Sequence, residues 1–271
     1  MMNNIESTIS DILLGDKLFL LAGPCAVESE KITLETAEYL TKLTDKLGIP
    51  YVFKSSYRKA NRTKSNSFTG IGDEKALKLL GKVRSEFSVP TVTDIHESHE
   101  AAMAAEYVDV LQIPAFLFRQ TELLQAAGRT GKVVNIKKGQ FAAAEAMAFA
   151  AAKVQETGND KILLTERGNM FGYEDMIVDY RNLVWMGDMG HPTVMDVTHS
   201  LQQPNNGSGV TGGLPQLIEP MAKAAVAVGV SGLFIETHPD PSAALSDGAN
   251  MLPLHKMEGL LTKLIRLRES L

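Results

Sequence analysis

Short apolar runs rich in β-branched residues recur along the whole chain, at 18–21, 51–53, 91–93, 110–113, 133–136, 162–164, 193–195 and 233–235. Between them lie stretches with apolar residues at three- and four-residue intervals, which predict helices over 28–47, 74–87, 97–107, 120–128, 141–157, 174–188, 215–228 and 254–271. Strand-like runs that alternate with helix-like ones predict βα units and a parallel sheet. Eight strands are the number that closes a (β/α)8 TIM barrel. A doubly wound open sheet uses the same alternation, so the strand ends must decide. Each run contains or soon precedes a chemically capable residue: Cys25, Lys54, Asp94, Gln112, Lys137, Arg167, His199 and Glu236. Only in a closed barrel do all eight ends converge on one mouth. No linker rich in Gly, Ser and Pro divides the chain, so 18–271 reads as one catalytic barrel, with 1–17 as an N-terminal extension over its bottom.

Composition narrows the class. The 271 residues are 44% hydrophobic and 22% charged, an ordinary globular balance that is long enough for one barrel domain. The net charge of −5 offers no general positive field for nucleic acid or an anionic membrane, so any anion must meet local cations. One cysteine cannot form an internal disulfide, and the opening MMNNIESTISDILLGD lacks a basic segment followed by an apolar one, which leads us to expect a cytoplasmic setting.

Gly207, Gly209 and Gly212 form a G-x-G-x-x-G, the phosphate loop of dinucleotide folds. That loop sits directly after a strand, whereas these glycines follow the seventh run by about ten residues. They are better read as part of a 201–213 loop that lids the mouth. A second cluster is cationic: Lys54, Arg58, Lys59, Arg62 and Lys64 after the second run, and Lys137, Lys138 and Arg167 after the fifth and sixth. Arg58, Lys64 and Lys138 suit a solvated surface. Lys54, Lys59, Lys137 and Arg167 share a target at the mouth, where they would neutralise phosphate or carboxylate oxygens. A third set, Cys25, His199, Glu236 and Asp247, follows strands one, seven and eight, which adjoin in a closed barrel. Thiolate, imidazole and carboxylate suit a divalent transition metal. His96, His99, His191 and His238 compete for the imidazole position.

Whole strings carry a more specific signal. LAGPCAVESE, FKSSYRKANR, TVTDIHE, LQIPAFLFRQTELL, VNIKKGQF, LLTERGNMFGY, VMDVTHSLQ and FIETHPDPSAALSDG together resemble the 3-deoxy-D-manno-octulosonate 8-phosphate synthases, also called 2-dehydro-3-deoxyphosphooctonate aldolases. The likeness spans about residues 18 to 270. GPC-x-x-ES and ERG are shared with the heptulosonate 7-phosphate synthases, but KANR and QIPAFLxRQT are similar to the octulosonate branch alone.

The resemblance implies a (β/α)8 homotetramer that condenses phosphoenolpyruvate with D-arabinose 5-phosphate on the route to a lipopolysaccharide sugar. It implies Lys59, Gln112, Lys137 and Arg167 around phosphoenolpyruvate, and Lys54, Ser56 and Asn61 bordering both substrates. Arg62 and Thr63 match the pair that receives the sugar phosphate across a subunit interface, with Thr63 in place of the usual Ser. Arg58 stands where an acid is common. Members with Cys at the first metal position need a divalent ion, so Cys25, His199, Glu236 and Asp247 are implied as ligands for Zn, Fe(II) or Mn. Lys59, Lys137, Arg167, Asp94 and His199 are then the catalytic candidates, Asp94 either in proton handling or in support. Two other enzymatic readings are the heptulosonate reaction with erythrose 4-phosphate and a Schiff-base aldolase built on Lys54 or Lys137. A barrel that binds anions without chemistry would show broken ligand or cation positions, and none of the matched positions is broken.

Overall fold

The computed structural model describes residues 5–61, 66–171, 175–203 and 212–271. Eight parallel strands form in chain order: β1 (Phe19–Gly23), β2 (Tyr51–Lys54), β3 (Thr91–Asp94), β4 (Val110–Ile113), β5 (Val133–Lys137), β6 (Ile162–Glu166), β7 (Thr193–Asp196) and β8 (Gly232–His238). Each pairs with the next, and β8 returns to β1 in register from Phe19↔Gly232 to Gly23↔Glu236. That last ladder closes a (β/α)8 barrel and excludes the open sheet.

The helices are α1 (Ile5–Leu14), α2 (Glu30–Leu47), α3 (Asp73–Phe87), α4 (Glu100–Ala105), α5 (Thr121–Arg129), α6 (Ala146–Gln155), α7 (Arg181–Gly187), α8 (Ile218–Val228) and α9 (Met257–Glu269). Ser29 caps α2 by accepting the Ile32 amide at 3.2 Å. Gly48, at φ 67°, ends that helix in the left-handed region. Three helices are shorter than their apolar spacing predicts. The expected 174–188 helix contains a short strand at Met176–Ile177 and becomes helical only at Arg181, and its first residue lies outside the described chain. The 97–107 helix keeps only Glu100–Ala105, and the 141–157 helix only Ala146–Gln155, because loops occupy their first turns.

Both faces of every strand are buried, which is why the runs read as continuously apolar rather than alternating. Outward residues such as Leu20, Phe53, Leu111, Ile136, Leu164 and Ile235 join the core under the helices. Inward residues form a separate cluster of Phe19, Leu21, Val52, Val92, Val110, Val133, Leu163, Val194 and Phe234. Ile12 of α1 is buried in that same cluster, with Ile9 and Leu13 packed beside it. Helix α1 was not predicted from the pattern: Ile9, Ile12 and Leu13 are too few apolar residues to stand out. Gly232 has no side chain because a Cβ there would lie 2.2 Å from the Phe19 ring that fills the lumen.

Strand periodicity then organises the mouth. Two residues beyond Val52, Val92, Val110, Val194 and Phe234 stand Lys54, Asp94, Gln112, Asp196 and Glu236. Four beyond Val133 and Leu163 stand Lys137 and Arg167. The lumen is therefore apolar in its lower half and charged in its upper half, from the same inward-facing positions.

Candidate active site

β1 brings the first functional segment to the mouth. Gly23 must be glycine, since a Cβ there would sit 2.1 Å from the Lys54 carbonyl oxygen. The chain then turns so that the Cys25 carbonyl accepts the Ser56 amide at 3.2 Å and the Lys54 ammonium at 3.1 Å. Cys25 is fully buried, and its Sγ lies 3.2 Å from Ser246 Oγ and 3.4 Å from Asp247 Oδ2.

Among the described residues, Cys25, Glu236 and Asp247 form a group whose donor atoms all lie within 4.8 Å of one another, suited to holding a metal ion. His199 stands beside this trio, its Nε2 3.6 Å from Glu236 Oε1. Its other ring nitrogen is tied to Asp196, at 2.8 Å from Oδ2. That bond assigns the proton to Nδ1 and leaves the Nε2 lone pair facing the acidic side of the mouth, the arrangement commonly found behind metal-bound imidazoles. Burial, followed by the Glu236 carboxylate, pushes the Cys25 thiol well above its usual range, so a cation is the natural partner that would convert it to thiolate. The donor set and its support thus fit a divalent ion.

The competing histidines are engaged elsewhere. His238 pairs with Glu28, and His96 packs against Glu100. His191 lines a cavity of about 410 Å³ at the opposite end, beside Pro192, and His99 is exposed.

Directly against this group stand the cations. Lys54 Nζ is 2.6 Å from Glu236 Oε1, and Lys137 Nζ is 2.6 Å from Asp196 Oδ2. Both ammonium groups lie over the Phe234 ring, at 5.2 and 3.8 Å from its centroid, so this ring floors the polar half of the lumen. Arg167 donates to the His199 carbonyl at 3.0 Å and to Gln202 Oε1 at 2.8 Å. Lys59 is half-buried near them; burial would lower its pKa, but Cys25, Glu236, Asp94 and Asp247 raise it instead. Burial opposes ionisation of Glu236, yet Lys54, His199 and Lys59 bring its pKa down to about 2. Asn61 is exposed at the edge of the described loop, and Arg62, Thr63 and Lys64 lie outside the described residues, as do Gly207 and Gly209. Gly212–Gly213 pairs antiparallel with Gln202–Gln203.

Asp94 is committed on both oxygens, accepting from Ser56 Oγ and Gln112 Nε2. The chain of contacts continues from Gln112 to Asn135 at 2.9 Å and to Thr165 at 2.6 Å. Burial works against its charge, but Lys54, Lys59 and Lys137 hold its carboxyl well below the ordinary range. Such a group orients Ser56 and Gln112 more readily than it shuttles protons.

Two assignments change. Lys138 is not solvated but completely buried, donating to the Ala142 carbonyl and Asn169 Oδ1 and lying 3.5 Å from an equally buried Glu166. Glu166 accepts the Arg167 and Gly168 amides and Asn182 Nδ2, and so braces the turn that carries Arg167. The reason is strand parity: Lys138 and Glu166 are neighbours of Lys137 and Arg167 and point to the other side of the barrel wall. Arg58 is not merely solvated either, since it pairs with Asp73 and Glu100. Lys138→Met leaves the Glu166 charge buried without its cation and should destabilise the fold by about 3–5 kcal/mol in urea unfolding. Combining it with Glu166→Gln should recover part of that loss.

The residue that sequence reasoning passed over is Asp196, in VMDVTHS, which joins Lys137 to His199. Its signal was available: it ends β7 with the same two-residue offset from an apolar lumen residue as Asp94 and Glu236.

The model of the DAHP synthetase I family matches residues 4–271. Among curated proteins, a 2-dehydro-3-deoxyphosphooctonate aldolase from Koribacter versatilis is 51% identical over 259 residues, covering 94% of this chain and 93% of the relative. Proteins of the same name from Brucella canis and Hydrogenovibrio crunogenus are 53% identical over 248 residues and 49% identical over 259. They cover 92% and 96% of this chain, and 90% and 94% of their own lengths. A closed barrel with this rim and likeness over nearly its full length belongs to the DAHP synthetase I family, among relatives named 2-dehydro-3-deoxyphosphooctonate aldolase.

Proposed function

We propose that the chain condenses phosphoenolpyruvate with D-arabinose 5-phosphate and water, giving 3-deoxy-D-manno-octulosonate 8-phosphate and inorganic phosphate. The observation that carries this reading is the convergence of Lys54, Lys137 and Arg167, from the ends of three strands, on a mouth that also holds Cys25, Glu236 and Asp247. The relatives' shared name supplies the substrate class.

In this reading Lys59, Lys137, Arg167 and Gln112 hold the carboxylate and phosphate of phosphoenolpyruvate. Lys54, Ser56 and Asn61 border both substrates, and Arg62 with Thr63 receives the sugar phosphate. Carbon three of the enol phosphate bonds to the sugar aldehyde carbon, and water adds at carbon two. The carbon two–oxygen bond to phosphate then breaks, the phosphate departs with the bonding pair, and the hydroxyl left on carbon two becomes the ketone as its proton passes to the phosphate. The proton given up by water balances the hydroxyl made from the aldehyde. Lys137 and Arg167 stand ready for the charge on the leaving phosphate, with no solvent to reorganise. Asp94 keeps Ser56 and Gln112 in place, and Asp196 keeps Lys137 and His199 in place. Cys25, His199, Glu236 and Asp247 would hold a divalent ion, which supplies orientation and Lewis acidity for an aldehyde or water oxygen.

Phosphate release from phosphoenolpyruvate, assayed with arabinose 5-phosphate or erythrose 4-phosphate, before and after chelation, tests this assignment. Activity with the five-carbon sugar that chelation removes is expected; activity with the four-carbon sugar alone overturns it. The Schiff-base alternative is weakened by the engagement of both Lys54 and Lys137 in buried ion pairs. Borohydride in the presence of substrate should leave the protein unmodified.

We also propose a homotetramer, which the resemblance implies; the exposed Phe116, Phe141 and Phe171 are apolar side chains that subunit contact would cover. No helix among the described residues is long and apolar enough to cross a membrane, and the single cysteine supports a cytoplasmic setting.

A further inference from the structure

The motif GPCAVES holds one charged residue that the chemistry above does not use. Glu28 lies three residues beyond Cys25 and directly before Ser29, the cap of α2. Its segment is fixed on both sides. Ala26 bridges to Ser56, the Val27 amide donates to the Ser56 carbonyl at 2.9 Å, and Val27 itself is buried.

From this fixed base the Glu28 carboxylate reaches two other segments. One oxygen faces His238 Nε2, two residues beyond Glu236 on β8. The other accepts the Leu245 amide at 2.8 Å, two residues before Asp247. His238 Nδ1 accepts the Asp240 amide at 3.0 Å, which places the ring proton on Nε2 and makes that nitrogen the donor to Glu28. One carboxylate thus binds together the chain segments that carry Cys25, Glu236 and Asp247.

The 239–251 loop requires such a tie. Asp247 adopts φ 49°, one of only two non-glycine positive values among the described residues. A backbone held there persists only when its surroundings over-determine it. Gly248 crosses Pro241 so closely that a Cβ would lie 2.1 Å from the Pro241 carbonyl oxygen. Beyond Asp247 the loop is anchored where Thr237 Oγ1 donates to the Leu252 carbonyl at 2.6 Å. Before Asp247, Glu28 anchors it through the Leu245 amide.

We propose that Glu28 is a positioning residue that holds the Asp247 loop against the Cys25 segment and so sets the affinity of the site for a divalent ion. This rests on the reading of Cys25, Glu236 and Asp247 as metal donors. Glu28 is not among the residues assigned to the substrates; it acts through His238 and the Leu245 amide, on two donor-bearing segments. Glu28→Gln keeps the shape but offers one acceptor oxygen for two donors, and Glu28→Ala offers none.

The test measures zinc binding to the full-length protein by competition with a chromophoric chelator, together with amide hydrogen exchange of the 240–251 segment in metal-free protein. Glu28→Gln should raise the zinc dissociation constant by roughly 10–100-fold, the range found for groups that orient ligands. Exchange at 240–251 should quicken in the same variant, and Glu28→Ala should exceed it in both measurements. Val83→Ala, a truncation in the core far from the mouth, should lower the thermal midpoint and leave the zinc constant unchanged; a zinc constant weakened as much there would reduce Glu28 to general stability and overturn the proposal. Unchanged exchange at 240–251 in Glu28→Gln overturns it as well, as does zinc binding as tight as in the parent. If the parent itself takes up no zinc while Glu28→Gln quickens exchange, the tether stands and the metal reading falls.

Discussion

Lys137→Ala should lower turnover by roughly two or more orders of magnitude in the phosphate-release assay, the scale associated with removing a preorganised charge from a developing anion. The side chain is 6% exposed, with its ammonium between Asp196 at 2.6 Å and the face of Phe234 at 3.8 Å. Burial pulls its pKa down and Asp196 pulls it back, so the charge depends on a partner two strands away on β7. Truncation removes the cation and also deprives the buried Asp196 of its ammonium partner. Lys137→Arg should restore little, because a planar guanidinium cannot occupy the narrow space between the carboxylate and the ring as a compact ammonium does. A near-normal rate in Lys137→Ala would strike this residue from the catalytic set.

The second large effect concerns Cys25. Cys25→Ala should weaken zinc binding by more than the roughly 10–100-fold expected for a supporting contact, because a donor atom itself is lost. Activity in the variant should fall with metal content. In the parent protein, chelation should abolish phosphate release and readdition of the ion should restore it. The volume change is small and Cys25 packs on Ser246 and Asp247, so the fold should survive, which circular dichroism can verify. Full activity in chelated parent protein would leave Cys25 as a small buried hydrophobe and no more.

The barrel was legible because all eight strands are buried on both faces, and each leaves an apolar run that no surface helix mimics. Helix α1 escaped because an amphipathic segment with only Ile9, Ile12 and Leu13 on its buried side does not stand out in so short a window. At the mouth, Lys54, Asp94, Gln112, Lys137 and Glu236 could be placed from strand ends alone. Lys138 could not, because a lysine following a lysine looks solvated until strand parity is known, and parity sends it through the wall to Glu166. Asp196 was overlooked beside the more conspicuous His199. The sharing of two oxygens between Lys137 and His199 is a fact of three-dimensional proximity that no one-dimensional spacing announces.

The division of the lumen into an apolar lower half and a charged upper half carries an evolutionary consequence. Closure of the barrel depends on Phe19, Val52, Val110, Val194 and their neighbours, whereas the polar groups of the mouth occupy the later inward positions on these strands. The upper tier of side chains can therefore be exchanged without disturbing the foundation beneath. Mechanical integrity and the chemistry of the mouth are thus separable traits, stacked one above the other along most of the strands.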